Sequence, residues 1–579
     1  MNIKNLDTLS LIILKLFIIL ISISFTNQTA YSSENQDGWL HYGKDPGGAR
    51  HSNLTQINPE NVKELKLAWS YRHGDLERHP DRKGFAGFHT TPILLPKAAG
   101  ESLVGCTPFS RVFALDPENG AERWHYDPNI ELSEIPSRLK CLGVAYFEDL
   151  LTPQSSACRH RIIWGTHDRR IVAVDAITGE VCKSFGNNGE VDVNPIISAS
   201  SPSQPDPAGT TFSAAPVIVN GVIVIGHINN MKNQFPDAPA GMVRAFDARS
   251  GSLKWQFDPL PRNRDEMHAS DWTDEAMQLT GGANAWPPLS ADPSRDLVFI
   301  PTAGPGPNFY GGTRPGDNRW ANSVVAIRVK SGEMAWGFQV VHHDVWDWDI
   351  PSAPIVADIP IDGKVIPALI VLTKQSLVFV LNRDTGKPIY DVEERAVPTD
   401  GVPGEILSPT QPFPVKPPPL MQTSIGPEDA WGITFNDKSA CKKVIEQSTY
   451  GDIFTPPSRE GWIMYPSTGG GPNWGGGAWD PKNNLLVTNI SQVAMWLQLL
   501  PNSSAPEAPI GDYSAGAPMG PAAKINNTDY AIYQKIILSP QFMPCTKPPW
   551  STLVAVDLAK GEIAWTQALG TIEELSPLP

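Results

Sequence analysis

Three carboxylates, two histidines and two indoles fall within residues 342–351, HHDVWDWDIP, and Lys374 follows beyond an apolar, strand-like run rich in Ile, Val and Leu. A carboxylate held between indoles sits in a lower dielectric than water, which raises its pKa and suits it to act as a base near neutrality. WDWD also fits a solvated acidic turn with two tryptophans packed beneath it. The rest of the chain has to separate these readings.

The elements that must position those residues are short strands. Of 579 residues 41% are hydrophobic, and 48 Gly, 56 Pro and 18 Trp indicate many strands joined by turns rather than several helical or α/β domains. A strand, a polar turn with Gly, and a return strand ending in an aromatic recur along the chain. The copies are FALDPENGAERW from Phe113, VAVDAITGEVCKSF from Val172, RAFDARSGSLKW from Arg244, VAIRVKSGEMAW from Val325, FVLNRDTGKPIY from Phe379 and VAVDLAKGEIAW from Val554. Each reads as a hairpin whose aromatic can dock on the next unit. Irregular spacing points to four-stranded units with variable loops, and a β-propeller is their natural closure, because radial repetition hides strand edges and creates an axis for a ligand. Residues 396–450 lack the repeat and carry many prolines, so they read as a long surface excursion from a propeller spanning 35–579.

A formal net charge of −15 disfavours nucleic acid as a partner, since no basic stripe is available for phosphates. The apolar run from Leu9 to Phe25, preceded by Lys4, places a signal peptide or an uncleaved anchor in residues 1–34. The expected location is the periplasm, soluble or peripherally attached to the inner membrane. Six scattered cysteines, Cys106, Cys141, Cys158, Cys182, Cys441 and Cys545, show no CxxC spacing. They are compatible with disulfides or buried thiols, and their pairing is open.

Longer motifs carry a resemblance. GWLHYGKDPGGARHSNLTQINPENVKELKLAWSYRHGD from Gly38, CTPFSRVFALD, KCLGVAY, HHDVWDWDIP, SPTQPFP, IFTPPS and NWGGGAWDP occur in the order seen in the pyrroloquinoline quinone (PQQ) dependent dehydrogenases. The sequence most resembles the branch containing membrane-bound glucose, quinate/shikimate and polyol dehydrogenases. That resemblance implies an all-β, eight-bladed propeller with PQQ on its axis chelating a divalent cation, Ca2+ or Mg2+. It implies oxidation of a small hydroxyl substrate, with electrons passed to ubiquinone or to a membrane electron-transfer subunit. By the same likeness, Asp347 matches the general base and a metal neighbour, and Lys374 the cation hydrogen-bonded to the quinone oxygens. Trp286 matches the indole stacked on the cofactor, while Arg111, Asn473 and Trp474 match positions lining its pocket. Arg138 stands where the glucose enzymes have a histidine near the cofactor, and Asn229 and Asn230 fall near the metal ligands.

The departures are a missing carboxylate at Asn229–Asn230, Pro305 in place of a side-chain oxygen donor, and Gln375-Ser376 after Lys374 where a Gly turn is usual. Family members also continue past the last repeat, which sets up two expectations: another polypeptide completes the propeller, or the copy is truncated. A non-enzymatic propeller acting as an interaction scaffold is the competing class.

Overall fold

The computed structural model of the chain describes residues 38–84, 86–132, 139–200, 209–229, 235–505 and 522–571. The segment read as a signal peptide, 1–34, lies outside them. No helix among the described residues is long and apolar enough to cross a membrane. Trp39–His51 and Glu64–Pro579 form one compact unit. Ser52–Lys63 belongs to a second, small one, in which Asn58 Oδ1 accepts from the Glu60 and Asn61 N–H groups.

The six repeats found in the sequence become the outer strands of six antiparallel sheets, or blades. Blade 1 runs from Ile93–Leu94 to Glu122–Tyr126, blade 2 from Ala145–Glu148 to Glu190–Asp192, and blade 3 from Val217–Val219 to Leu253–Phe257. Blade 4 runs from Ser290–Asp292 to Met334–Gln339. Blade 5 holds Ile355–Ile361, Lys364–Leu372 and Val378–Asn382, with a bridge from Leu381 to Pro388 in place of a fourth strand. Blade 6 combines Gly477–Asp480 and Leu485–Ser491 with Ser551–Asp557 and Glu562–Ala568. A further four-stranded sheet joins Trp462–Met464, just before blade 6, to Met495–Pro501, Tyr530–Ile536 and Ala523–Lys524, which lie between its halves in the chain. The described residues therefore carry six blades of this kind, where the resemblance implies eight.

The first strands of blades 2 to 6 lie beside one another in sequence order, which makes them the inner wall. Aromatic docking sets the spacing between blades. Trp124 of blade 1 donates its Nε1–H to Ala176 O, Trp255 of blade 3 to Val329 O, and Trp336 of blade 4 to Arg383 O. Each indole covers a turn glycine of the next blade. A Cβ on Gly179, Gly332 or Gly386 would come within 2.4–2.7 Å of the ring, so only glycine admits it there. Trp69, in the AWSY run, meets Gly120 and Pro117 O of blade 1 in the same manner, and Tyr390 meets Gly561 and Leu558 O of blade 6. The repeat of blade 2 ends in Phe185, fully buried in the core shared with blade 3.

Trp39–His51 crosses the inner wall. Its carbonyls accept from Leu94 N of blade 1 (Trp39 O, 2.8 Å), Ala291 N of blade 4 (Pro46 O, 2.7 Å), Val356 N of blade 5 (Gly47 O, 2.9 Å) and Trp479 N of blade 6 (Ala49 O, 2.8 Å). All six cysteines are paired, as Cys106–Cys141, Cys158–Cys182 and Cys441–Cys545. The 396–450 stretch stays outside the blade pattern yet is not featureless. Thr410–Pro414 pairs with Val392–Ala396, and the helix Phe435–Glu446, capped by Thr434 and Asp437, carries Cys441.

Candidate active site

The 342–351 segment enters blade 5 from above its first strand. Trp346 and Trp348 are buried in the core, and their indole N–H groups donate to Thr455 O (2.7 Å) and Ile453 O (3.2 Å). That contact accounts for the IFTPPS run. Asp344 fixes the turn, accepting from the backbone N–H of Trp346 and Trp348 and from Asn322 Nδ2. With alternate residues locked inward, Asp347 and Asp349 take polar partners instead. Asp347 adopts a left-handed backbone (φ 62°), which for a non-glycine residue costs on the order of 1–2 kcal/mol and is held by its surroundings.

Lys374 lies in the turn after Lys364–Leu372. Its ammonium donates to Asp347 Oδ2 at 3.0 Å and Asp347 O at 2.7 Å, and stands 3.8 Å from Asp349 Oδ2. Burial pushes the Lys374 pKa down, but Asp347 and Asp349 outweigh it and hold the ammonium above its ordinary value. Asn308 Nδ2 donates to Asp347 Oδ1 (2.6 Å), Trp286 Nε1 to Asp349 Oδ2 (2.9 Å), and Gly304 N to Asp349 Oδ1 (3.0 Å). Lys140 Nζ sits 5.9 Å from the Trp286 ring centroid. Trp286 is thus bound by its edge to the carboxylate cluster.

A second group lies across Gly470. This glycine has φ 74°, and a Cβ on it would lie 2.7 Å from Lys374 Cβ, while Gly471 N donates to Lys374 O. Further along the same loop Asn473 donates to Gly469 O and accepts from Trp474 N. Trp474 stacks on His89, with centroids 5.1 Å apart and planes 17° off parallel, and packs beside Tyr42, Leu142, Ala214 and Ala215.

Other residues singled out in the sequence fall elsewhere. Arg111 is paired with the fully buried Asp75 and stands 3.3 Å from Asp127, so its charge has carboxylate partners of its own. Asn229 is buried and donates to Pro239 O. Arg138 and Asn230 lie outside the described residues. Asp349, His89, Lys140 and Gly470 are contributors that motif reading did not assign. The GGG run at 469–471 was the available signal for Gly470.

Several buried polar groups beside the cluster have no partner: both amide atoms of Gln375, Ser376 Oγ, Asn284 Oδ1 and Ser352 Oγ. They follow Lys374, precede Trp286 and follow Asp349 in the chain. Each unpaired group costs about 1–3 kcal/mol, and a planar ligand rich in carbonyl and carboxylate oxygens fits beside such donors and indole faces. The charge balance also fits a cation. Asp344, Asp347 and Asp349 gather around Lys374, with Arg314 near Asp344, and burial, then Asp349, raises the Asp344 pKa. Among the described residues, however, no three His, Cys, Asp or Glu side chains are grouped to hold an ion.

Residues 39–579 match the family described as PQQ: glucose/ethanol/alcohol dehydrogenase, beta-propeller domain. The chain belongs to that PQQ-dependent dehydrogenase family. It is 35% identical to the glycerol dehydrogenase large subunit of Gluconobacter thailandicus over 93% of this chain and 72% of that protein. It is 32% identical to the quinoprotein glucose dehydrogenase of Escherichia coli (strain K12), over 96% of this chain and 69% of that one. It is also 32% identical to the quinate/shikimate dehydrogenase (quinone) of Acinetobacter baylyi, over 94% and 68%. Solved structures bear out the fold. Quinohemoprotein alcohol dehydrogenase from Comamonas testosteroni superposes with TM-score 0.63 at 21% identity, covering 93% of this chain and 68% of that one. A europium-containing methanol dehydrogenase gives 0.62 at 21%, covering 92% and 78%. As a family member this quinoprotein is an oxidoreductase, and PQQ is the group that the unpartnered Gln375 amide, the serine hydroxyls and the indole faces suit.

Proposed function

We propose that this quinoprotein oxidises a secondary or primary hydroxyl of a polyol, sugar or cyclic hydroxy acid, with Asp347 as general base. The single observation behind this reading is the buried Lys374–Asp347 pair, with Asp349 and Trp286 joined to it. When bound, PQQ supplies a quinone that accepts the substrate's hydride. The chain's own part is to hold and move the proton. Asp347, paired with the ammonium beside it, takes the hydroxyl proton at a carboxylate oxygen. Asn308 and Lys374 fix the orientation of that carboxylate, and the buried ammonium also stabilises negative charge that develops on a neighbouring oxygen. Trp286 and Trp474 offer flat apolar area for a planar ring system.

In this reading a divalent cation, Ca2+ or Mg2+, would be held against Asp347 and Asp349, and Asn473 borders the pocket, while Arg111 and Asn229 are engaged with partners of their own. The protein is exported, and its electrons reach ubiquinone directly or through a membrane subunit. A scaffold propeller has no use for a buried ion pair flanked by an unpartnered amide, which disfavours that alternative.

The test is dye reduction by protein reconstituted with PQQ and Ca2+, using glycerol, sorbitol, glucose and quinate. Asp347→Asn is expected to lower kcat by roughly 100- to 10,000-fold while PQQ still quenches the protein's tryptophan fluorescence. Turnover by Asp347→Asn at the wild-type rate would remove Asp347 from the role of base.

A further inference from the structure

Two loops must meet for the proposed base to be oriented. Asp347 comes from the 342–349 segment, and Asn308, which donates to it, from the 305–318 loop. Both are fastened to a third piece of chain, the proline-rich excursion, through one side chain. Glu405 Oε1 accepts from His343 Nε2 at 2.8 Å, and Glu405 Oε2 accepts from Gly311 N at 2.6 Å. His343 then donates its Nδ1–H to Gly316 O at 2.8 Å, back in the loop that carries Asn308. The His343 and Glu405 side chains are 1% and 2% exposed.

Glycine makes the junction possible. A Cβ on Gly311 would lie 2.3 Å from His343 Nε2 and 3.1 Å from Glu405 Oε1. The ring nitrogens thus face two acceptors, a carbonyl and a carboxylate, and the imidazole bridges the two segments at both ends. Arg314 lies on the same side, donating to Asp344 O and Pro307 O. Burial pushes the Glu405 pKa up, but His343, Gly311 N and Arg314 outweigh it and hold it below the ordinary range. The other ionisable groups nearby are Tyr310, whose phenol is raised by burial and by Glu405, and Asp317, whose carboxylate accepts from Ser408.

We propose that Glu405 and His343 are positioning residues of the active site, a buried ion pair by which the 396–450 excursion sets the register of Asp347 against Asn308. The inference rests on the reading of Asp347 as base. It gives the excursion a role in turnover, although none of its residues needs to touch substrate. A carboxylate displaced by a fraction of an ångström from its productive position loses rate without losing the cofactor.

The experiment compares Glu405→Gln, the double variant His343→Gln/Glu405→Gln and Asp347→Asn as full chains reconstituted with PQQ and Ca2+. Melting temperature and PQQ affinity, by tryptophan quenching, are read alongside kcat and KM. Glu405→Gln is expected to lower kcat by about 10- to 100-fold with PQQ affinity and KM within about 3-fold. The double variant should be no worse than the single one, since the pair acts as a unit. Wild-type kcat in Glu405→Gln, with Asp347→Asn inactive, would overturn this inference and leave the base assignment standing. An active Asp347→Asn would overturn the base assignment itself. If Glu405→Gln does not fold, the double variant carries the test. Wild-type kcat in the double variant, or failure of both to fold, would reduce the pair to a structural one and overturn the proposal.

Discussion

The two walls that meet at Gly470 differ in kind. On one side Lys374, Asp347, Asp349, Asn308 and the edge of Trp286 form a buried network in which an ammonium faces two carboxylates at 3.0 and 3.8 Å. On the other, Trp474 and His89 present stacked rings over small apolar side chains. The first wall is suited to moving a proton and tolerates little change. The second is suited to holding a flat molecule, and area is more forgiving than a charge pair. A site built this way separates rate from affinity, and substitutions can pull the two apart.

The largest effect should come from Lys374→Met. It removes the ammonium and leaves Asp347 and Asp349 buried without a counter-charge, so stability should fall by about 3–5 kcal/mol in urea melts and dye reduction should be lost. A stable Lys374→Met enzyme would show that the charged wall is not held by this pair. A smaller effect ties that wall to pH. His167 is buried and accepts from Lys140 N, and burial pushes its pKa down to about 4. In the unfolded chain its pKa is near 6.5, so the unfolded state binds the extra proton first. The stability this group contributes is complete above about pH 6.5 and is lost as pH falls toward 4, up to about 3 kcal/mol. Urea melts across that range should show the slope, and His167→Gln should flatten it. The smallest effect belongs to the aromatic wall. Trp474→Ala should weaken PQQ binding by about 10-fold through lost stacking area, with kcat at saturating PQQ within about 3-fold. A kcat loss as large as that of Asp347→Asn would erase the distinction between the walls.

The blades were legible in the sequence because each repeat carries its own docking chemistry, a turn glycine and a terminal aromatic that find each other in the next copy, as Trp124 finds Gly179. The WDWD run and the lone cation after an apolar strand drew attention to Asp347 and Lys374, whose ion pair the structure shows, but the pattern left an acidic turn open and only the family resemblance gave the two residues roles. Other contributors were not legible. His89 and Glu405 reach the site from distant loops, and no local period or composition marks a residue for a contact made across the fold. Arg111 shows the opposite failure, since its nearby carboxylates, Asp75 and Asp127, come from segments whose approach the sequence does not announce. Disulfide pairing was closed to sequence reading for the same reason.

Trp39–His51 has a consequence for how the chain matures. It is among the earliest described segments to leave the ribosome, yet its hydrogen-bonding partners include Trp479 N, and Arg50 reaches Gly475 O across 425 positions. Contacts so remote close slowly. During synthesis the segment can pair with blades 1, 4 and 5 as each forms, but its end at Ala49 and Arg50 waits until the strand that begins blade 6 arrives. The last step of assembly thus falls to one of the oldest stretches of the polypeptide, and nascent chains halted before residue 475 should hold their blades but leave the bonds around Ala49 and Arg50 open to protease.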